Sequence, residues 1–504
     1  MQSRPEIKVF AFEENIKGAC YALLTDPEAL STHFTNLTDN EGSSHGTLNS
    51  EDFQKTRLTF WHQSGVLELF PCLQEKSSDL SENGIRRSLG IILQEAGQKK
   101  LKSLNLQLME TKKNRLERIL QLVAETVGLY YYSYKDWSQI SQKPSKSTQS
   151  IQNFCVRLPK TVPLADTQRH VEKGLFWADV CNFARYLSET PGNELVPEGL
   201  AQAGSLRLKD YEIKSNILDA ATLDAQGFGG IVAVGKGSIH KPCLGILDYH
   251  PPAATKTVVL VGKGVTFDTG GYSIKGKAYH NEMKFDMCGA ANVIGILEIL
   301  AQEKFPHRVV GLLPCAENAI GPNALRPGDV YKAWNGKSIE VLNTDAEGRL
   351  LLADTLSFSK TYDPDLIIDI ATLTSGTNAI AGSYAGVAFT NQATLFESYK
   401  PFAHSYAEPF VSLEILPDVI ENMKSQVADY CNMHHKWSTS AGSMHAAAFL
   451  QEFVPDNTPW IHLDIASVAY HGKENGYMST KGSSAYGVRS VAHWLMSGVW
   501  LKSI

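Results

Sequence analysis

Two patterns of hydrophobic and polar positions follow one another along the chain. In the N-terminal third, apolar stretches at residues 8–12 and 65–70 predict short strands. Between residues 96 and 128, apolar residues recur at helical spacing, which predicts a long helix interrupted by a basic turn at residues 112–115. Residues 138–152 are rich in Ser, Gln and Lys and are typical of an exposed loop or linker.

From residue 153 onward, apolar strands alternate regularly with helical patterns. A strand at residues 154–158 precedes a helix at 167–189, which the sequence Thr190-Pro191-Gly192-Asn193 ends. Further strands are predicted at residues 230–234, 244–248, 257–261, 309–314 and 366–371, and helices at 289–302 and 349–362. Asn335 and Gly336 lie between two short apolar stretches and predict a hairpin turn.

This alternation predicts an α/β protein of two domains. Residues 1–165 form a small α/β N-terminal domain, and residues 166–504 form a larger domain, with residues 166–190 as the connecting helix. In the larger domain we expect a twisted mixed, mostly parallel sheet flanked by helices, with the functional site at the carboxyl ends of strands. A length of 504 residues agrees with two or three domains.

The composition excludes several classes of protein. The chain has 47 Lys and Arg against 53 Asp and Glu, a formal net charge of −6, and this argues against a nucleic-acid binder, which needs a basic face. No stretch reaches the roughly 20 apolar residues of a membrane span. The eight cysteines are sparse and contain no CxxC pair, so we expect a reduced, cytoplasmic protein.

Charged residues follow the predicted buried strand that ends at residue 261. Within 24 residues the sequence places Lys263, Asp268, Lys275 and Asp286. Unpaired charge at a hydrophobic edge costs free energy, so these groups need partners. Glycines also lie among them, and they allow the backbone to approach a ligand or an ion closely.

A second charged stretch, residues 341–352, reads VLNTDAEGRLLL. Asp345 and Glu347 are two positions apart, so in an extended backbone both carboxylates would project to the same side. Arg349 lies near the start of the next predicted helix, where a guanidinium and free backbone N–H groups together could hold an anion.

The two stretches together carry four acidic side chains, those of Asp268, Asp286, Asp345 and Glu347. Four ionised carboxylates need compensation to share one partly buried cleft. Two divalent cations would balance them, and oxygen-rich ligation without paired histidines suits Zn²⁺, Mn²⁺ or Mg²⁺. Two such ions activate a bridging water. Taken alone, either stretch also fits a salt-bridged Gly-rich turn or an acidic helix N-terminus.

The charged stretches resemble a known family. Residues 261–291 (VGKGVTFDTGGYSIK…MKFDMCGAA) and 343–350 (NTDAEGRL) are similar to the leucine aminopeptidase, or cytosol aminopeptidase, family of dinuclear metallopeptidases. NTDAEGRL is highly specific for that family. Other stretches agree in order and spacing, at residues 188–201, 229–238, 315–330, 371–374 and 462–466. The resemblance covers residues 166–504, which it implies to be the catalytic domain.

The resemblance implies a role for each charged residue. The implied ligands of the two metals are Lys263, Asp268, Asp286, Asp345 and Glu347. Among them Asp268 and Glu347 would bridge both ions, and Asp345 would also contribute its main-chain carbonyl. Lysine binds a metal only as the neutral amine, a form that nearby dications favour.

The implied activity is removal of N-terminal residues from peptides by a water that bridges the two metals. Lys275 would stabilise the developing negative charge, and Arg349 would hold a bicarbonate as the general base. The implied substrate-binding residues are Met283, Asn343, Thr372 and Ala466. The implied partners are peptides with a free N-terminus and further copies of the chain in a homohexamer.

Three residues depart from the family pattern. His280 replaces a Met, Cys288 replaces a Gly and Ser375 replaces a Gly, and none of these positions is an implied ligand. His280 and Ser375 lie where they bear on which N-terminal residue is preferred. Two alternatives stay open: a DNA-binding or regulatory protein on the same scaffold, and another two-metal hydrolase such as a phosphatase.

Overall fold

A computed structural model describes most of the second half of the chain and parts of the first. The described residues are 6–10, 20–24, 58–61, 67–70, 82–98, 103–108, 113–134, 153–157, 167–434, 441–471, 476–478 and 482–504. The chain divides into two compact units, Met1–Asp179 with Asn475–Lys481, and Val180–Glu474 with Gly482–Ile504. The linker predicted at residues 138–152 lies outside the described residues.

The described residues of the first unit form a six-stranded sheet, two complete helices and the start of a third. Its strands are β1 Glu6–Phe10, β2 Cys20–Leu24, β3 Leu58–Trp61, β4 Leu67–Phe70, β5 Ser103–Leu108 and β6 Asn153–Arg157. Their order is β1-β6-β5-β2-β4-β3, and only β3 and β4 pair antiparallel. Helices α1 (Glu82–Gln98) and α2 (Lys113–Tyr130) contact each other. The core of the unit includes Leu89, Leu120 and Phe154.

The prediction of one long helix over residues 96–128 is wrong. Strand β5 lies between α1 and α2, within that range. Its sequence SLNLQL buries Leu104 and Leu106 completely, which is the two-residue spacing of a strand face. Leu104 and Leu108 also fit helical spacing, so leucine periodicity alone did not separate the two structures.

The second unit is built on a nine-stranded sheet. The described strands of this unit, which include those of two smaller sheets, are β7 Ile213–Leu218, β8 Cys243–Tyr249, β9 Thr257–Gly262, β10 Gly264–Asp268, β11 Arg308–Asn318, β12 Val330–Lys332, β13 Ser338–Glu340, β14 Leu366–Ala371, β15 Gly386–Thr390, β16 Phe410–Ser412, β17 Tyr430–Cys431, β18 Trp460–Asp464, β19 Tyr470–His471 and β20 Gly482–Ser483. The order in the large sheet is β16-β15-β18-β14-β9-β11-β8-β7, and β10 pairs with β11. Pairings of β7 with β8, β8 with β11 and β15 with β18 are antiparallel, and the others are parallel. The predicted mixed, mostly parallel sheet is therefore confirmed.

Strands β12, β13 and β17 form a smaller sheet. Strands β12 and β13 pair antiparallel across the turn at Asn335 and Gly336, and Gly336 has a φ of +87°. This backbone conformation favours glycine, and the predicted hairpin turn is confirmed.

Helix α3 (Gln168–Glu189) begins in the first unit and ends in the second. The other helices among the described residues are α4 Pro197–Arg207, α5 Ala220–Ala225, α6 Gly229–Gly235, α7 Cys288–Gln302, α8 Gly348–Phe358, α9 Gly376–Ala381, α10 Ala393–Ser405, α11 Pro417–Glu421, α12 Gly442–Gln451 and α13 Val488–Met496. Short 3₁₀ helices lie at His280–Phe285, Ser359–Tyr362 and Val499–Lys502. The buried core of this unit includes Val259, Leu312 and Ile367 from neighbouring strands.

The strand predicted at residues 230–234 is wrong, because this stretch belongs to helix α6. A run of five small and apolar residues fits either structure when it is buried. The carboxylate of Asp354 accepts hydrogen bonds from the N–H groups of Gly230 and Ile231, at 2.7 and 2.9 Å, and so satisfies donors in the first helical turn. This cap comes from a residue more than 120 positions away, which the local pattern does not show.

The prediction about membrane spans concerned runs of about 20 apolar residues, and residues 280–302 are not such a run because polar and charged residues interrupt them. Among the described residues, the helical stretch His280–Gln302 is nevertheless long and apolar enough to cross a membrane by length and mean hydropathy. However, 89% of its apolar window is buried inside the protein, as in a core helix, so the stretch is weak evidence for a membrane span.

The buried carboxyl of Glu189, at the end of α3, makes the free energy of unfolding depend on pH. Burial raises the pKa of Glu189 to about 7, although the charge of Arg185 and a hydrogen bond from the Ser483 N–H (3.1 Å) oppose the shift. The folded chain therefore keeps a proton that the unfolded chain releases above its ordinary pKa of 4.5. This stabilisation is complete below about pH 4.5 and is lost as the pH rises through about 7.

We expect Glu189→Gln, which mimics the protonated carboxyl, to melt close to the wild-type temperature near pH 5 and above it near pH 8. Thermal melting of both proteins at the two pH values measures this. Exposed Glu194 is the control, because its replacement by Gln should leave the pH dependence unchanged. A Glu189→Gln variant that melts below the wild type at pH 8 would contradict the assignment.

Candidate metal centre

Loops after the strands of the second unit bring the predicted acidic residues together. Asp268 ends β10, Asp286 follows the 3₁₀ helix at His280–Phe285, and Glu347 immediately precedes α8. Each offers a carboxylate oxygen, these oxygens lie within 4.8 Å of one another, and all three side chains are buried. Such a cluster of acidic groups requires positive charge nearby.

Lys263, between β9 and β10, supplies one positive charge. Its Nζ lies 2.7 Å from Asp286 Oδ1 and 2.9 Å from Glu347 Oε1, and it donates to the main-chain carbonyl of Thr372 at 3.0 Å. Burial opposes the charge of this lysine, but the Asp286 and Glu347 carboxylates outweigh burial and raise the pKa of Lys263. Lys263 is therefore an ammonium ion in this structure.

Lys275, in the loop after β10, supplies the second positive charge. Its Nζ lies 2.7 Å from Asp268 Oδ2 and 2.5 Å from Asp345 Oδ1. Burial opposes this charge too, and the neighbouring carboxylates, Asp268 first, raise the pKa of Lys275. The Asp345 side chain is 32% exposed against 2% for Asp268, so Asp345 lies at the outer side of the cluster.

The four carboxylates outnumber the two ammonium groups, and their pKa values reflect this. Burial raises the pKa of Asp268 to about 7, the Glu347 charge adds to the shift, and Lys275 opposes it. Burial also raises the pKa values of Asp286 and Asp345. For Glu347, burial would raise the pKa, but the charges of Lys263 and Lys275 together lower it. Additional positive charge at the site would therefore stabilise the ionised carboxylates.

Two buried oxygens show that the residues present fit a divalent cation. Asp286 Oδ2 and Glu347 Oε2 have no hydrogen-bond partner among the described residues. A buried acceptor without a partner costs free energy, and a metal ion would satisfy it. Carboxylate oxygens are ligands of Zn²⁺, Mn²⁺ and Mg²⁺ alike.

Glycines allow the charged side chains of the site to lie close to the backbone. A Cβ on Gly348 would lie 2.6 Å from Lys263 Cε, so a side chain there would displace the lysine. Gly270 and Gly271, in the loop that carries Lys275, have φ values of +85° and +59°. These conformations favour glycine, in agreement with the expectation for the glycines of this stretch.

Arg349 lies in the first turn of α8 and is buried. Its Nη1 donates to the main-chain carbonyl of Asn432 at 2.9 Å, while its Nε has no partner among the described residues. Burial lowers the pKa of Arg349 to about 10, although the Glu347 charge opposes the shift. The guanidinium thus keeps an unused donor next to the N-terminus of a helix, as anion binding requires.

Two of the four predicted substrate-binding residues, Thr372 and Asn343, hydrogen-bond to acidic residues of the site. Thr372 Oγ1 donates to Asp286 Oδ1 at 2.9 Å. Asn343 accepts from the Asp345 N–H at 2.8 Å and donates to the Met433 sulfur at 3.3 Å. Ala466 follows β18, and its N–H donates to Asp464. Met283 lies in the 3₁₀ helix that leads to Asp286 and is partly buried.

The three departures from the family pattern take no part in the ion pairs of the cluster. The His280 ring lies 3.4 Å from the Thr269 carbonyl, and Cys288 is buried with its sulfur 3.9 Å from Ser483 Oγ. Ser375 immediately precedes α9.

Asn318 is a site residue that the sequence analysis missed. It ends β11, where it is the register partner of Asp268 on β10. Its Nδ2 donates to Asp268 Oδ1 at 2.7 Å and to the Thr344 carbonyl at 3.0 Å. One oxygen of Asp268 is thus held in place, and the other faces Lys275. The sequence near Asn318 gives no signal for this contact, because Asp268 lies 50 positions earlier in the chain.

The second unit has the features of a metal-dependent α/β protein. Beyond its strand ends it carries buried acidic groups, two lysines and carboxylate oxygens without hydrogen-bond partners among the described residues. Residues 182–492 match the model of the cytosol aminopeptidase family, catalytic domain. The chain belongs to this family, which confirms the resemblance found in the sequence.

Individual relatives agree with this assignment. A probable cytosol aminopeptidase of Desulfovibrio desulfuricans is 41% identical over 319 residues, which cover 63% of each chain. One from Desulfotalea psychrophila is 32% identical and covers 84% of this chain and 83% of the relative. The chain spans 63% and 66% of the lengths of two of the curated relatives that it matches.

A solved structure, the bottromycin maturation enzyme BotP in complex with Mn, has a TM-score of 0.77 and 28% identity. The match covers 98% of this chain and 99% of that chain, and it agrees with the predicted α/β fold. None of these relatives supports the DNA-binding or the phosphatase alternative.

Proposed function

We propose that the protein is a metal-dependent aminopeptidase that releases N-terminal residues from peptides with a free amino group. The observation that carries the proposal is the buried Asp268, Asp286 and Glu347 cluster with its two unsatisfied oxygens. Membership of the cytosol aminopeptidase family supports it, as does the similarity to an enzyme solved in complex with Mn.

The residues that would hold two divalent ions are Lys263, Asp268, Asp286, Asp345 and Glu347. Zn²⁺, Mn²⁺ and Mg²⁺ all suit this donor set. When bound, the ions would supply a Lewis acid and an activated water nucleophile. Lys263 would release its proton on becoming a ligand, because an ammonium group has no free lone pair.

Two basic residues would act on the reacting groups. The Lys275 ammonium, held between Asp268 and Asp345, would donate to the oxyanion that develops on the scissile carbonyl. Arg349 would hold a bicarbonate through its free Nε and the first turn of α8, and this anion would supply a general base.

The N-terminal residue of the substrate would contact Met283, Asn343, Thr372 and Ala466. Thr372 bonds Asp286 directly, so a side chain seated against Thr372 would lie beside the metal ligands. His280 and Ser375 would influence which N-terminal residue is preferred, because they are close in sequence to these contacts.

Release of leucine from unblocked leucyl amide by the full-length protein tests the proposed activity. We expect hydrolysis with Mn²⁺ or Zn²⁺, none after chelation of the metal, and recovery when metal is returned. N-acetyl-leucyl amide is the matched control and should not be cleaved. Metal-loaded protein that hydrolyses neither leucyl amide nor a panel of free peptides would contradict the proposal.

We further propose that the protein acts in the cytoplasm as a homohexamer, on the basis of the family resemblance. Its chain mass is 55.4 kDa, so sedimentation should give about six times this value. Sedimentation at the mass of one chain would contradict the hexamer and would leave the aminopeptidase proposal standing.

A further inference from the structure

The side-chain amide of Asn432 makes all its hydrogen bonds to the backbone of one short loop. Its Oδ1 accepts from the N–H groups of Leu342 and Asn343, at 2.8 and 3.2 Å. Its Nδ2 donates to the carbonyls of Asn343 and Ala346, at 2.6 and 3.3 Å. An amide side chain offers two acceptor and two donor positions, so Asn432 has none left for another partner. Asn432 is completely buried.

The backbone of Asn432 makes two further hydrogen bonds in the same region. Its carbonyl accepts from Arg349 Nη1 at 2.9 Å, and its N–H donates to the Glu340 carbonyl at 3.0 Å. Asn432 follows β17 directly, and β17 pairs in parallel with β13, so a sheet fixes its position. One anchored residue thus contacts both the loop after β13 and the guanidinium in α8.

The loop that Asn432 holds connects β13 to α8 and carries Asp345, with Glu347 at its end. Irregular backbone with unpaired polar groups would leave these carboxylates in several positions. Groups that hold metal ligands in place raise metal affinity, because less order has to be gained on binding.

We propose that Asn432 is a positioning residue of the metal centre, which sets the carboxylates of Asp345 and Glu347 and orients Arg349. The inference rests on the proposed function, since it assumes that these groups bind metal and an anion. Asn432 itself contacts no reacting atom in this proposal and acts only through the loop and the guanidinium.

Two substitutions separate this role from simple stabilisation of the fold. Asn432→Ala removes all four side-chain hydrogen bonds. Asn432→Asp keeps the shape and both acceptor bonds, but it loses the donors and places a carboxylate oxygen against the carbonyls of Asn343 and Ala346. The matched control is Asn292→Ala, because Asn292 is also buried and donates to the Tyr486 carbonyl at 2.8 Å.

The experiment is titration of each full-length, metal-stripped protein with MnCl₂ by calorimetry, with thermal melting of the same samples. We expect both Asn432 variants to bind Mn²⁺ about 10- to 100-fold more weakly than the wild type. Asn292→Ala should keep the wild-type affinity, whatever its melting temperature.

A folded Asn432→Asp with wild-type Mn²⁺ affinity would overturn the inference alone, and this variant decides the question if Asn432→Ala does not fold. Loss of affinity in Asn292→Ala equal to that in the Asn432 variants would also overturn it, because the effect would then follow general stability. A wild-type protein that binds no Mn²⁺ would overturn the proposed function, and this inference with it.

Discussion

Replacement of Lys263 by methionine is expected to lower the free energy of unfolding of the metal-free protein by about 3–5 kcal/mol. The Lys263 side chain is 3% exposed, and its partners Asp286 and Glu347 are 7% and 2% exposed. Removal of the ammonium leaves these two carboxylates buried without its compensating charge. Urea unfolding in the presence of a chelator, near pH 8, measures the difference.

The matched control is Lys256→Met. Lys256 Nζ lies 2.7 Å from Asp365, the same distance as that between Lys263 and Asp286, but the two side chains are 40% and 28% exposed. Water screens such a pair, so we expect a change of at most about 1 kcal/mol. Equal losses in the two variants would contradict the view that burial makes the Lys263 ion pairs essential.

Replacement of Lys275 by alanine is expected to lower kcat by about 10²–10³. Lys275 is the ammonium between Asp268 and Asp345, and in the proposed function it donates to the charge that develops on the scissile carbonyl. It is not one of the proposed metal ligands, so Mn²⁺ affinity should change much less than kcat. Steady-state hydrolysis of leucyl amide at saturating Mn²⁺, together with a Mn²⁺ titration, checks both statements.

Lys277→Ala is the control for this variant, because Lys277 lies two residues further along the same loop and is exposed. Its kcat should equal that of the wild type. A Lys275→Ala protein that keeps more than a tenth of the wild-type kcat would show that Lys275 does not stabilise the transition state.

The strands of the large sheet were predictable because strands buried on both faces are nearly continuous apolar runs. Predicted strands at residues 244–248, 257–261 and 309–314 correspond to β8, β9 and β11. Helix α6 was not predictable in this way, because its first turn is capped by Asp354 from a distant helix. Strand β5 was missed because its leucines also fit helical spacing.

The charged residues of the site could be predicted from the sequence. An unpaired charge at the end of a buried strand costs free energy, so such a charge indicates that a partner is nearby. The structure places Lys263, Asp286 and Glu347 in direct contact, as the clustering of charge suggested. The neutral residues were not visible. Asn318 hydrogen-bonds to Asp268, 50 positions away, and Asn432 hydrogen-bonds to Asn343, 89 positions away. A single asparagine in a sequence does not indicate such distant contacts.

We propose above that the carboxylates of the second unit bind a pair of divalent cations. Anomalous diffraction from crystals grown in excess Mn²⁺ would locate such ions. We expect two anomalous peaks a few Å apart, in contact with Asp268 and Glu347. A map with no peak between the carboxylates of Asp268, Asp286 and Glu347 would contradict this proposal.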